Sequence, residues 1–244
     1  MQSGPSPGMS EESAAAGPDR PGTWARCGQA YLELPPSVLR DLFEVLEQAR
    51  SYGFLGPGPV EGHVARSLAL GCCSPAPTAA LDLGSGGGVP ALPLALLWPA
   101  SSWVLVDSNQ RRSTWLAAVL DGLGLAGRAR VLCERAEAVG RTGLRHTQDL
   151  VTARSFGAPA VTAECAAPLL ALGGRLVVAE PPGTRAPTTR WAPGGLQALG
   201  LVLGGTEVVA TSAGPTTVAY MDQVTLPSDR YPRRTGTPGK RPLF

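Results

Sequence analysis

The sequence predicts an α/β protein: one mostly parallel sheet flanked by helices, with an antiparallel C-terminal strand and a small N-terminal helical cap. Three observations carry that prediction. From Thr78 onward short apolar runs alternate with longer amphipathic segments, the pattern of strand-helix-strand units around a parallel sheet. The first run, Ala79 to Leu83, feeds a glycine-dense turn, Gly84-Ser85-Gly86-Gly87-Gly88. A chain of 244 residues with 43% hydrophobic content can bury one full-sized core, which favours one principal domain with modest appendages.

Residues 1–25 are dominated by Gly, Pro, Ser, Ala and Glu and cannot bury enough apolar surface to offset their ordering entropy, so a disordered tail is expected. They also lack the apolar central run of a secretory signal. Between Pro36 and Tyr52 the positions Val38, Leu39, Leu42, Val45 and Leu46 recur at three-to-four spacing, which predicts an amphipathic helix. Gly56, Pro57, Gly58 and Pro59 break it, and Glu61 to Leu70 resumes as a second helix, giving a helical cap over 26–75.

The main domain, 76–228, holds candidate strands at Ala79–Leu83, Trp103–Asp107, Arg130–Cys133, Asp149–Ala153, Arg175–Glu180, Glu207–Thr211 and Thr217–Val224. Ser108 is the expected N-cap of a helix with Trp115, Leu116, Val119, Leu120 and Leu123 on its apolar face and Gly124 as its stop. A further helix is expected over Ala158–Leu172, ending at Gly173-Gly174. The last two strand-like runs have no helical pattern between them and predict a closing hairpin. Residues 229–244 form a basic tail, with Arg230, Arg233, Arg234, Lys240 and Arg241 and no acid from Arg230 onward.

Bulk properties exclude some functions. The longest apolar stretch, Ala91 to Trp98, contains Pro93 and falls far short of the ~20 residues of a membrane-spanning helix. A net charge of +2 does not announce a nucleic-acid binder, which leaves the tail as the concentrated positive feature. The five cysteines (Cys27, Cys72, Cys73, Cys133, Cys165) form no C-x-x-C pair, which suits reduced thiols in a cytoplasm. With only His63 and His146 beside them, no metal site is expected.

The glycine turn carries the chemistry. Glycines let a ligand lie against bare backbone, and the helix start beyond them offers unpaired N–H groups and a partial positive charge. Pro90 suits the first helical turn, where its missing N–H is no loss. Gly86-x-Gly88-x-x-Ala91 fits a dinucleotide loop, and Asp107 stands about twenty residues on, where a ribose-binding acid belongs for either a dinucleotide or S-adenosyl-L-methionine. That pattern alone leaves both open. Asp82, two residues before the first glycine, favours adenosylmethionine because it can meet the cofactor's ammonium directly or through water. Asp107 can accept both ribose hydroxyls, or cap the following helix, or do both.

Leu81-Asp-Leu-Gly-Ser-Gly-Gly-Gly-Val-Pro-Ala-Leu-Pro-Leu-Ala95, Leu105-Val-Asp-Ser, Arg135-Ala-Glu, Val151-Thr-Ala-Arg and the terminal Tyr-Pro-Arg-Arg-Thr-Gly-Thr-Pro-Gly-Lys-Arg-Pro-Leu together resemble one family. It is the bacterial small-subunit ribosomal RNA guanine-N7 methyltransferase family, also called glucose-inhibited division protein B. The resemblance runs from about Glu61 to Leu243. It implies a class I methyltransferase, Rossmann-like fold and S-adenosyl-L-methionine as cofactor, with Gly84 and Val89 as its contacts in the first loop, beside Asp82, Gly86 and Gly88 read from the turn itself. It implies Asp107 as the ribose acid, Ala136 and Glu137 beside the adenine, and Arg154 facing the cofactor pocket. His63 resembles an N-terminal histidine element of the family.

Methylation of guanine N7 in 16S ribosomal RNA is the implied activity, carried out by a cytoplasmic monomer on ribosomal RNA or the small ribosomal subunit. Arg233, Arg234, Lys240 and Arg241 are the implied phosphate contacts. N7 is an acceptor with a free lone pair, so no proton has to leave it and no catalytic base is nominated. Three places depart from the family pattern, the first being Glu47-Gln-Ala-Arg-Ser-Tyr-Gly-Phe, where the family has a Trp-Asn-rich stretch after its first helix. Arg66 stands where the family usually has Asp, and Glu180-Pro181-Pro182 follows strand five where a lysine is frequent. The last two leave open a relative that methylates a small molecule or another RNA, or binds RNA without catalysis.

Overall fold

A computed structural model describes residues 20–181 and 190–244. Most of the expected disordered tail, residues 1–19, lies outside the described residues, as does Pro182. Order begins earlier than the sequence suggested. Trp24–Cys27 (β1) and Ala30–Glu33 (β2) form an antiparallel hairpin in which Trp24 and Ala25 are buried. Four-residue strands leave little periodicity to read.

The cap continues with helix α1, Pro36–Ser51, whose first residue is a proline pre-set for a helix start, and α2, Val60–Gly71. Leu42, Leu46 and Ala49 supply the buried stripe of α1. Most of α2 is buried, from Val60 to Gly71, because it lies between α1, α3, the hairpin and the sheet.

The main sheet comprises β3 (Ala79–Leu83), β4 (Ser102–Val106), β5 (Ala129–Leu132), β6 (Gln148–Arg154), β7 (Leu170–Ala179), β8 (Leu201–Val209) and β9 (Thr216–Gln223) in the order β5-β4-β3-β6-β7-β9-β8. The first five are parallel, and β9 runs antiparallel to both β7 and β8. The expected closing hairpin is present, with β9 inserted between β7 and β8.

Intervening helices are α3 (Ala91–Leu97), α4 (Gln110–Gly122), α5 (Ala136–Val139), α6 (Pro159–Ala166) and α7 (Pro193–Ala198), followed by a short α8 (Thr237–Lys240). Alternate side chains of each strand feed two cores. Trp103 and Leu105 of β4 join Leu68 and Leu92 on one face, while Val104 and Val106 join Leu81, Leu83 and Tyr231 on the other.

Three expectations shift. Asn109, not Ser108, caps α4, its side chain accepting from the Arg112 amide at 3.1 Å. Helix α6 ends at Ala166 instead of Leu172, because Pro168 cannot continue it, and Leu170 already belongs to β7. Cys27 and Cys72 form a disulfide, contrary to the expectation of reduced thiols throughout. They are 45 residues apart in the chain, and β1 packing on α2 brings them together. Among the described residues no helix is long and apolar enough to cross a membrane.

Candidate functional site

β3 lies between β4 and β6, so the connections leaving its C-terminal end and theirs run to opposite sides and open a crevice there. A cavity of about 470 Å³ occupies it. Of the positions singled out in the sequence, Gly84, Gly86, Val89, Asp107, Ala136, Glu137 and Arg154 line this one cavity. Phe54 and Leu55 from the cap, and Phe156 after β6, also line it and carry no local sequence signal.

Two predicted positions do not reach the cavity wall. Gly88 is needed for packing, since a Cβ there would lie 2.4 Å from Leu92 Cδ1. Asp82 is fully buried beneath the loop, its Oδ1 accepting from the Thr152 hydroxyl at 2.7 Å. Its Oδ2 has no hydrogen-bond partner among the described residues. Burial pushes the Asp82 carboxyl up to about 6, against the lowering hydrogen bonds of Thr152 and Ser85.

Asp107, at the end of β4 and 2% exposed, ties the site together. Its Oδ2 accepts from the Gly86 amide at 2.9 Å, and its Oδ1 accepts from the Asn109 amide at 2.8 Å and from Arg112 Nη2 at 2.9 Å. A carboxylate offers about four acceptor sites. Three are in use, so one sugar hydroxyl can be taken directly, and a second requires the partly exposed Arg112 to swing aside. Gly84 admits Phe156 on the other side of the loop, where a Cβ would come within 2.9 Å of that ring.

Arg154 ends β6, and Ser155 after it adopts φ +55°, a sparsely populated conformation for serine that turns Phe156 back toward Gly84. Arg154 Nη2 donates to His63 Nδ1 at 2.8 Å, and His63 Nε2 lies 3.1 Å from the Gly56 carbonyl. Only the neutral ring protonated on Nε2 satisfies both partners. Burial, then Arg154, lowers the His63 pKa, and burial lowers that of Arg154 to about 10, which leaves the guanidinium charged at neutral pH. His63 is thus the link by which the cap orients Arg154.

On the opposite wall Glu137 is 5% exposed, and its Oε1 accepts from the Gly236 amide at 2.9 Å. Burial raises its pKa, but the Gly236 amide, its own amide and Arg135 outweigh that and hold it low. The basic tail is therefore a folded part of the site. Arg145 fastens it through the Tyr231 carbonyl at 2.7 Å. Arg233 is not free for phosphate, because its guanidinium is committed to the fully buried Glu164 of α6. Arg234, Lys240 and Arg241 are exposed.

Glu180 is compensated. It is 7% exposed, accepts from Trp191 Nε1 at 2.5 Å and pairs with Arg190. Among the described residues no cluster of His, Cys, Asp and Glu could hold a metal ion.

The family model described as rRNA small subunit methyltransferase G matches residues 60–180. The Ribosomal RNA small subunit methyltransferase G of Geobacillus kaustophilus is 36% identical over 176 residues, covering 69% of this chain and 71% of its own length. Among solved structures, cofactor-bound Rv0187 from MTB superposes with a TM-score of 0.54 at 17% identity, over 78% of this chain and 91% of that one. The O-methyltransferase TomG from Streptomyces achromogenes, solved in complex with SAM, gives 0.51 at 16% identity, over 75% and 90%. At that identity the two structures speak for the fold, which they share.

Proposed function

This chain belongs to the rRNA small subunit methyltransferase G family, and from that premise we propose that it binds S-adenosyl-L-methionine in the crevice above β3 and methylates guanine N7 in 16S ribosomal RNA. One observation carries the reading: Gly84, Gly86, Val89, Asp107, Ala136, Glu137 and Arg154, far apart in the chain, line a single cavity. When bound, the cofactor supplies an electrophilic methyl group on a sulfonium.

The chain's own residues provide everything else. The bare backbone of the glycine loop receives the polar end of the cofactor, and Asp107 takes a sugar hydroxyl on its remaining acceptor site. Ala136 and Glu137 flank the base at the far end. Phe54, Leu55 and Phe156 exclude water from the reacting side. Guanine N7 presents a lone pair without a proton, so proximity and orientation suffice and no side chain serves as a base. The exposed Arg234, Lys240 and Arg241 extend the binding surface to phosphate.

We further propose that the chain acts as a monomer, and an rRNA substrate argues for action in the cytoplasm. The rival reading of a small-molecule substrate loses half its motive, because the charge of Glu180 is spent on Arg190 and Trp191. Digestion and mass spectrometry of 16S rRNA from a deletion strain tests the proposal. The expected result is loss of one N7-methylguanosine; retention of the full complement overturns the acceptor assignment.

A further inference from the structure

Behind Phe156 lies a second cavity of about 700 Å³, at the C-terminal ends of β6 and β7, within the usual size range of ligand sites. It shares Arg154, Ser155 and Phe156 with the first cavity. If the first holds adenosylmethionine, as proposed above, this shared wall is where a second reactant reaches the methyl group.

The charged groups lining the second cavity are Arg66, Arg154, Glu180 and Arg190. Arg190 and Glu180 cancel one another. Arg66 and Arg154 have no ion-pair partner among the described residues, so the cavity carries excess positive charge. Arg154 is held by His63, whereas among the described residues Arg66 makes one long hydrogen bond, 3.5 Å to the Ala213 carbonyl, and keeps donors to spare. The Phe156 ring lies on the shared wall and offers a stacking face. Arg66 and Glu180, far apart in the chain, line the same cavity.

We propose that this cavity receives the acceptor nucleotide, with Phe156 stacking on the base and Arg66 gripping a phosphate beside it. An anionic, aromatic ligand matches a cationic pocket walled by one ring, and the guanidinium fork suits a phosphate oxygen pair. Arg66 then contributes to RNA affinity without touching the cofactor.

The test compares full-length wild type with Arg66→Ala and Arg66→Lys. Calorimetry in the presence of S-adenosylhomocysteine measures binding of guanosine 5′-monophosphate and of guanosine; methyl-transfer kinetics on small ribosomal subunits give KM and kcat. Wild type should prefer the monophosphate by about tenfold or more, a preference that Arg66→Ala abolishes and Arg66→Lys partly restores. KM for the particle should rise by a similar factor with kcat nearly unchanged, and the salt slope should fall by about 0.7. Equal binding of the two ligands by wild type, or an Arg66→Ala variant with unaltered KM and salt slope, overturns the inference while the cofactor reading stands. Failure of wild type to bind S-adenosylhomocysteine at all sinks that reading first and this one with it.

Discussion

The Arg233 guanidinium closes on the Glu164 carboxylate through Nε at 2.8 Å and Nη2 at 2.6 Å, while the Arg233 amide donates to the same carboxylate at 2.8 Å. Glu164 is fully buried on α6, away from water, and these three donors satisfy its carboxylate. The pair fixes the basic tail to α6 and occupies the Arg233 guanidinium.

Arg233→Ala leaves that carboxylate buried and unpaired, and should cost about 3–5 kcal/mol of stability. Urea unfolding measures it. A loss below about 1 kcal/mol, the ceiling for an ordinary exposed pair, would mean that the tail is not anchored here.

Arg234→Ala combined with Arg241→Ala should leave stability within about 0.5 kcal/mol of wild type, since both side chains are exposed. Filter binding to 16S rRNA should instead weaken, and its salt slope should shrink by about 0.7 for each phosphate no longer neutralised. An unaltered slope would take these two residues out of the RNA interface.

Asp107→Ala should weaken adenosylmethionine binding by ~10–100-fold, as expected when one or two hydrogen bonds to a charged acceptor are removed. Calorimetry decides it, with unchanged affinity refuting the ribose assignment. Arg112→Ala is the informative companion. It frees acceptor capacity on Asp107, so its affinity should be equal to or tighter than that of wild type.

Asp82 predicts a pH dependence in the unliganded protein. Its pKa rises on folding from 3.8 to about 6. Below the lower value both states hold the proton and nothing is lost. Between the two the unfolded chain ionises while the folded one does not, so stability falls as pH rises through this window, by about 3 kcal/mol once complete. Asp82→Asn should lack that decline; parallel curves for the two proteins would show that Asp82 does not titrate there.

Reduction of the Cys27–Cys72 bond should destabilise the protein by about 2–4 kcal/mol, because it releases a loop spanning 45 residues in the unfolded chain. Melting with and without reductant measures this, and Cys27→Ser in oxidising buffer should match the reduced wild type. Identical melting temperatures would leave the bond without a stabilising role.

What could be read from the sequence was local. The glycine loop, Asp107 and the alternation of strands and helices are written in contiguous residues and short spacings, and they specify the sheet and one wall of the cavity. Phe54, Leu55 and Phe156 could not be found that way, since a lone apolar side chain acquires meaning only when a distant segment folds against it. The burial of Asp82 beneath the loop was not legible for a related reason. In a sheet covered on both faces either side of a strand is interior, so position within the strand does not reveal which side chains meet the cavity. The cysteine pair failed similarly, joining segments that only tertiary packing makes neighbours.

Gly236 donates to Glu137 across 99 positions of sequence, and the wall of the crevice leans on that contact. A ribosome that stalls before residue 236 thus releases a product whose sheet is already laid down but whose ligand chamber is unbraced on one side. Trimming the last loop removes the amide that braces Glu137 and the core contacts of Leu243 and Phe244 together, so the crevice wall and the fold beneath it share one C-terminal support.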